Sequence, residues 1–233
     1  MGKRIRGQRR GRGTSTFRAR KKAFKIALRY PTKEGEGKVV KVISSAAHTA
    51  PIALIRLDKE KFYNIASAGM YEGQIVQVGK DAAIKPGNIL PLGQIPIGTS
   101  IYNIETFPLG GGKLVRTGGS FARIVKKEKE CVIVMLPSKK EKIFQKEARA
   151  TIGVASGGGR LEKPLMKAGK VWYAMKAKGK PYPLTSAVKM NIVAHPFGSG
   201  RGKRIKSKIA KRNAPPGAKV GLIRPRRTGR RKH

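Results

Sequence analysis

Charge is spread so unevenly along this 233-residue chain that it limits which parts can fold unaided. There are 53 Lys plus Arg against 12 Asp plus Glu, a formal net charge of +41. All 12 acids lie between Glu34 and Glu162. Residues 1–29 carry 12 basic residues and no acid, and residues 163–233 carry 21 and no acid. Like charges at this density oppose compaction by self-repulsion. The ends are therefore expected to act as arms that lie on a polyanion, while the middle can fold as an ordinary domain. Nucleic acid is the densest such partner, with about one negative charge per 1.7 Å of duplex axis.

The first arm, residues 1–36, is rich in Arg and Gly and has too little apolar surface to fold alone. Phe17, Phe24 and Tyr30 interleave with Arg18, Arg20, Lys21, Lys22 and Lys25. Such a mixture suits phosphate pairing with some base stacking. The last arm, residues 176–233, is dominated by Gly, Pro, Lys and Arg and is expected to be extended and irregular.

Between the arms, short β-branched runs are broken by turn residues, which reads as strands. A first series covers Lys38 to Ser44, Ile52 to Leu57, Lys61 to Ala66 and Gly73 to Gly79. Asp58-Lys59-Glu60 reads as a hairpin turn. A Pro/Gly-rich stretch from Lys85 to Gly98 marks a boundary. A second series covers Thr99 to Glu105, Ser120 to Val125, Cys131 to Leu136, Glu141 to Gln145 and Ala150 to Val154. The fold class expected is mainly β: an OB-fold barrel at 37–95, an SH3-like barrel at 96–175, and the two basic arms. One short helix is expected from Leu161 to Lys170. Cys131, the only cysteine, reads as a buried strand thiol.

The residues argue against an enzyme. The chain has only two aspartates, Asp58 and Asp81, and three histidines, His48, His195 and His233, and no acid lies within thirty residues of His195 in sequence. Catalysis needs convergent groups of the right kinds. Gly110-Gly-Gly-Lys113 resembles a phosphate loop, but Leu114 stands where Ser or Thr must follow the Lys. A tight turn is the better reading. No metal-ligand cluster is present, so no metal and no cofactor is expected. No run of about 20 apolar residues exists, so no membrane partner is expected. The basic N-terminus lacks the apolar core of a secretory signal, and the cytosol is the expected compartment. His195 reads first as a turn histidine. Trp172 and Tyr173 read first as packing residues, with base or sugar stacking as the sharper alternative.

Several long blocks then become recognisable in order. They are Asp81 to Thr99, Asn103-Ile-Glu105, Gly111 to Arg116, Met190-Asn191, His195-Pro-Phe-Gly198, Asn213 to Gly221 and Arg227-Thr-Gly-Arg230. Together they resemble the L-two family of large ribosomal subunit proteins, in its archaeal and eukaryotic branch, over nearly the whole chain. The resemblance implies a primary binder of large-subunit rRNA. It also implies contact with other large-subunit proteins, with the small subunit at the intersubunit face, and indirectly with tRNA near an RNA-based peptidyl-transferase centre. No homo-oligomer is implied. The family's functional histidine matches His195, read here as an RNA-positioning residue. Two departures stand out. Ala194 occupies a position where the family usually has an acid or amide, and Ser199 interrupts Gly198 and Gly200. Without an acidic orienter, general-base chemistry at His195 is disfavoured.

The RNA contacts expected in the first arm and beside it are Arg4, Arg6, Arg9, Arg10, Arg12, Arg18, Lys21 and Lys22, and in the middle Lys85. Around the histidine they are Asn191, His195, Pro196, Phe197, Gly198 and Gly200. In the last arm they are Arg201, Lys203, Arg204, Lys206, Lys211, Arg212, Arg224, Arg226 and Arg227. Arg is favoured where bidentate phosphate contact matters. The competing reading is an architectural protein that compacts nucleic acid, whose tails would carry the same charge.

Overall fold

A computed structural model of the chain describes residues 2–58, 60–195, 197 and 198. The expected contacts at Pro196, Gly200, Arg201, Lys203, Arg204, Lys206, Lys211, Arg212, Arg224, Arg226 and Arg227 lie outside the described residues. Two compact units are present. One is Arg20–Lys170; the other joins Met1–Ala19 to the chain from Val171 onward.

The Arg20–Lys170 unit bears out the mainly β expectation. Its strands are β1 (Gly35–Ile43), β2 (Ile52–Leu57), β3 (Glu60–Ile65), β4 (Ile75–Val78), β5 (Ile89–Pro91), β6 (Ser100–Tyr102), β7 (Ile104–Glu105), β8 (Gly112–Leu114), β9 (Ala122–Lys127), β10 (Cys131–Met135), β11 (Glu141–Gln145) and β12 (Arg149–Ile152). Ten of them form one sheet in the order β11-β10-β9-β6-β12-β5-β4-β1-β2-β3, while β7 and β8 pair separately. Both expected hairpins form. Leu57 pairs with Glu60, with Asp58 at φ 49, and Met135 pairs with Glu141. Asp tolerates that left-handed backbone better than most residues because its short side chain can hydrogen-bond locally.

Period-two alternation determines which side chains go inside. In β10, Val132 and Val134 point into the core, and the flanking Cys131 and Ile133 are half-buried. Cys131 is therefore not the buried thiol expected. Its Sγ donates to Glu128 Oε2 at 3.3 Å, which raises its pKa. In β2, Ala53, Ile55 and Leu57 share one core with Val39, Phe62, Val76, Val78 and Ile89. A second core gathers Leu90, Ile101, Ile124, Val132, Val134, Phe144 and Ile152.

The Pro/Gly stretch is less of a boundary than the sequence suggested. It contains β5, which lies between β4, with Val78 beside Ile89, and β12, with Ala150 beside Leu90. Ile89 belongs to one core and Leu90 to the other, so adjacent residues of one strand serve both. β12 is buried along its whole length. Its continuation closes on the end of the β3 ribbon through a Ser67–Ala155 bridge, with Ala68 N–H donating to Val154 O at 2.8 Å. The strands β1 to β5 and β12 thereby form a ring joined at one point by that bridge, while β11 remains an edge of the sheet, paired with β10 alone.

A buried polar network ties residues 28–31 to this unit. The Tyr30 hydroxyl donates to Asn103 O at 2.5 Å and lies 2.7 Å from Thr151 Oγ1. Asn64 Nδ2 donates to Thr151 Oγ1, and Asn103 Nδ2 to Asn64 Oδ1. Beside them Arg149 meets Glu105 through Nη2 at 3.0 Å and Nε at 3.3 Å, and donates from Nη1 to Pro31 O. Glu105 also accepts from the backbone N–H of Gly111 and of Arg149. A buried carboxylate needs this many partners to offset its desolvation. Tyr30 is thus a core residue, unavailable for the base stacking that its place among Arg and Lys suggested.

The other unit is the larger departure from expectation. Where an irregular arm was expected, Arg6–Gly11 forms helix α1, started by Gln8 Oε1 accepting the Ile5 N–H at 3.1 Å and followed by Gly13 in the left-handed region. That reach-back is half of a capping box, and a left-handed glycine is a common helix stop. The expected helix from Leu161 is displaced to α2 (Ala168–Ala177), after a 3-10 turn at Gly158–Leu161. Pro164 explains the gap, since the residue before a proline is pushed out of the helical region.

Candidate nucleic-acid interface

Opposite ends of the chain build one surface. Lys3 N–H donates to Val193 O at 2.7 Å, and Arg6 Nη2 donates to Thr185 O at 2.8 Å across 179 residues of sequence. Ile5 turns inward and is buried. Gly179, at φ 63, has the backbone of Arg18 and Ala19 against it, so a Cβ there would strike main chain at 2.8 Å. These contacts hold the two stretches at a fixed spacing.

The amino-acid sequence of this unit contains no Asp and no Glu. No side chain within it can neutralise its cations. Of the expected contacts, Arg4, Arg9, Arg10, Arg12 and Arg18 are exposed here, and Arg6 is half-buried against Thr185. Lys21, Lys22 and Lys85 are also exposed but belong to the Arg20–Lys170 unit.

A cleft of about 570 Å³ opens on this surface, lined by Lys3, Arg4, Arg6, Arg9, Thr16, Phe17, Pro181, Met190 and Ala194. Lys3, Pro181, Met190 and Ala194 escaped the sequence reading of the contacts. The signal available was Phe17 alone, an aromatic among arginines; nothing local ties Pro181 or Met190 to the first arm.

The histidine segment folds back on itself. His195 and Ala194 N–H groups both donate to Asn191 O, at 3.1 and 3.0 Å, and Asn191 Oδ1 accepts the Val193 N–H. His195 Nδ1 accepts the Phe197 N–H at 3.1 Å, and the two rings lie 4.9 Å apart. With Nδ1 an acceptor, the neutral ring carries its proton on Nε2. Gly198 is buried with the backbone of Met190 and Asn191 where a Cβ would stand. Its missing side chain serves this internal turn, so close approach to a phosphate is not what requires glycine there.

Elsewhere in this unit, Trp172 and Tyr173 meet edge to face at 4.8 Å, and Lys176 Nζ stands 4.0 Å over the indole. Tyr173 is 71 % exposed, so it does not pack into a core as first expected. Among the described residues no group of His, Cys, Asp or Glu could hold a metal ion, and no helix is long and apolar enough to cross a membrane.

Comparison with known proteins agrees with this composition. The family described as Ribosomal Proteins L2, C-terminal domain, matches residues 85–217. A large ribosomal subunit protein uL2 from Korarchaeum cryptofilum is 45 % identical over 240 residues, covering 100 % of this chain and 97 % of its own. The proteins of that name from Methanococcoides burtonii and Archaeoglobus fulgidus are 43 % and 44 % identical, and each is covered over 100 % of its length. Both the family match and the end-to-end relatives lead to one assignment: this chain belongs to the ribosomal protein L2 family.

Proposed function

We propose that the chain is a structural constituent of the large ribosomal subunit and a primary binder of its rRNA. The observation that carries this reading is the acid-free unit, which holds the arginines of the first arm against the stretch around Thr185 and Val193 and has no carboxylate side chain to neutralise them. Folded RNA is recognised through phosphates, 2′-hydroxyls and shape, and exposed Arg and Lys held by a fixed backbone suit that. The Arg20–Lys170 unit supplies the rigid part. Its ring of β1 to β5 and β12 is read as the OB-type barrel expected at 37–95, and its β6 and β9 to β11 half as the SH3-like barrel expected at 96–175. Contact with other large-subunit proteins and with the small subunit, indirect support of tRNA binding, and proximity to an RNA-based peptidyl-transferase centre belong to the same proposal, as does a cytoplasmic location on the ribosome. The protein itself performs no catalysis in this reading. His195 Nδ1 is occupied by a backbone N–H, which suits a residue that shapes a turn and offers Nε2 to RNA.

Binding of the full chain to large-subunit rRNA fragments and to duplex DNA of equal length, at low and moderate salt, tests the reading. A preference for one rRNA fragment that survives added salt is expected. Equal and steeply salt-sensitive binding to both would favour the architectural, charge-driven alternative.

A further inference from the structure

The cleft on the acid-free unit has more in it than phosphate contact requires. Lys3, Arg4 and Arg9 stand exposed at its rim, and Arg6 is fixed in the wall by its bond to Thr185. Phe17 and Met190, both half-buried, supply apolar lining. The Phe17 ring is set in place by a 3-10 turn, Ser15–Phe17, closed by the Phe17 N–H donating to Thr14 O at 2.8 Å. Phosphates gain nothing from an aromatic face. A stacked duplex cannot use one either, because its bases hide their π-faces in the helix. An unstacked base can. The volume of about 570 Å³ falls within the range of small-molecule sites.

We infer that this cleft takes one unstacked nucleotide of a single-stranded RNA segment. The base lies against Phe17 and Met190, and the flanking phosphates pair with Lys3, Arg4 and Arg9. Arg6, already engaged, positions the wall. The inference rests on the RNA-binding reading above and deepens it. An acidic peptide would satisfy the cations but leave the aromatic face unused.

The test uses the full chain and an oligouridine carrying one 2-aminopurine, beside an RNA duplex of the same length. Binding of the oligonucleotide is expected to quench the 2-aminopurine. Phe17→Ala should weaken single-strand binding by roughly 5- to 150-fold, as removal of one stacked base implies. It should also abolish the quench and leave duplex affinity and salt slope unchanged. Phe17→Trp should retain both affinity and quench, which separates stacking from a folding defect. Lys3→Ala and Arg9→Ala should each lower the single-strand salt slope by about 0.7 with the quench intact. The inference is overturned if Phe17→Ala keeps the quench and the affinity, if Phe17→Ala and Phe17→Trp lose single-strand and duplex binding alike, or if polyglutamate displaces the oligonucleotide as well as unlabelled single-stranded RNA does. In those cases a salt-resistant rRNA preference can still stand, and its loss would instead remove the reading beneath.

Discussion

Two tyrosines show how single atoms hold the middle of this protein together. The hydroxyls of Tyr30 and Tyr102 are both buried, the second donating to Ile65 O at 3.0 Å. Burial pushes both phenols well above the usual tyrosine value, and the Glu105 carboxylate adds to this at Tyr30. An unfolded chain releases these protons near pH 10, whereas the folded one retains them. Above pH 10 the unfolded state therefore binds fewer protons, and stability falls as pH rises. Below pH 10 the contribution is fully present. Urea unfolding from pH 8 to 11 should show a stability loss at the alkaline end that Tyr30→Phe and Tyr102→Phe each reduce. At neutral pH, Tyr30→Phe should itself cost about 1–3 kcal/mol, because Thr151 and the Asn103 carbonyl lose a buried partner. An alkaline limb identical in both variants and the parent would mean that these phenols do not govern it.

Among the elements, β8 is the one most dependent on a missing side chain. Gly112 opens it directly against Asn103, whose Oδ1 is buried with no hydrogen-bond partner among the described residues. A Cβ there would collide with that amide and with the Asn103 carbonyl. Gly112→Ala should cost about 1–3 kcal/mol, as overpacking a filled interior does, and a denaturation midpoint equal to the parent's would count against the packing described. The same element marks where sequence reading ran out. β1 to β4, β6 and β9 to β12 were legible because runs such as Ile52 to Leu57 and Cys131 to Leu136 are β-rich and bounded by turn residues, whereas Thr99 to Glu105, read as one strand, folds as two, β6 and β7, broken at Asn103 with φ 50. β8 and β5 are three residues long, and their Gly, Pro and Lys content reads as turn. What makes them strands is pairing, Ile104 with Leu114 and Leu90 with Ala150. Helix α1 was missed for a related reason: Arg6-Gly-Gln-Arg-Arg-Gly11 has no apolar stripe, and its start depends on the Gln8 side chain.

At the scale of the whole molecule, partition of charge was legible in the sequence and its spatial consequence was not. Counting acids and bases is enough to separate a middle that carries every carboxylate from two ends that carry none. Nothing local in either end signals that Lys3 pairs with Val193 or that Arg6 reaches Thr185. Long-range pairing of this kind leaves no periodicity to read. The candidate contacts were thus identified by type, while the cleft that joins Phe17 to Met190 required the fold. The measurement that goes straight to this division of labour is the salt dependence of full-chain binding to large-subunit rRNA, with three cations replaced by alanine at a time. Replacing Lys3, Arg4 and Arg9 should lower the slope by roughly 2 units, at about 0.7 for each phosphate no longer neutralised. Replacing Lys41, Lys61 and Lys140, equally exposed in the Arg20–Lys170 unit, should leave it nearly unchanged. Equal slopes for the two triple variants, or a larger drop from the second, would contradict an RNA interface built on the acid-free unit.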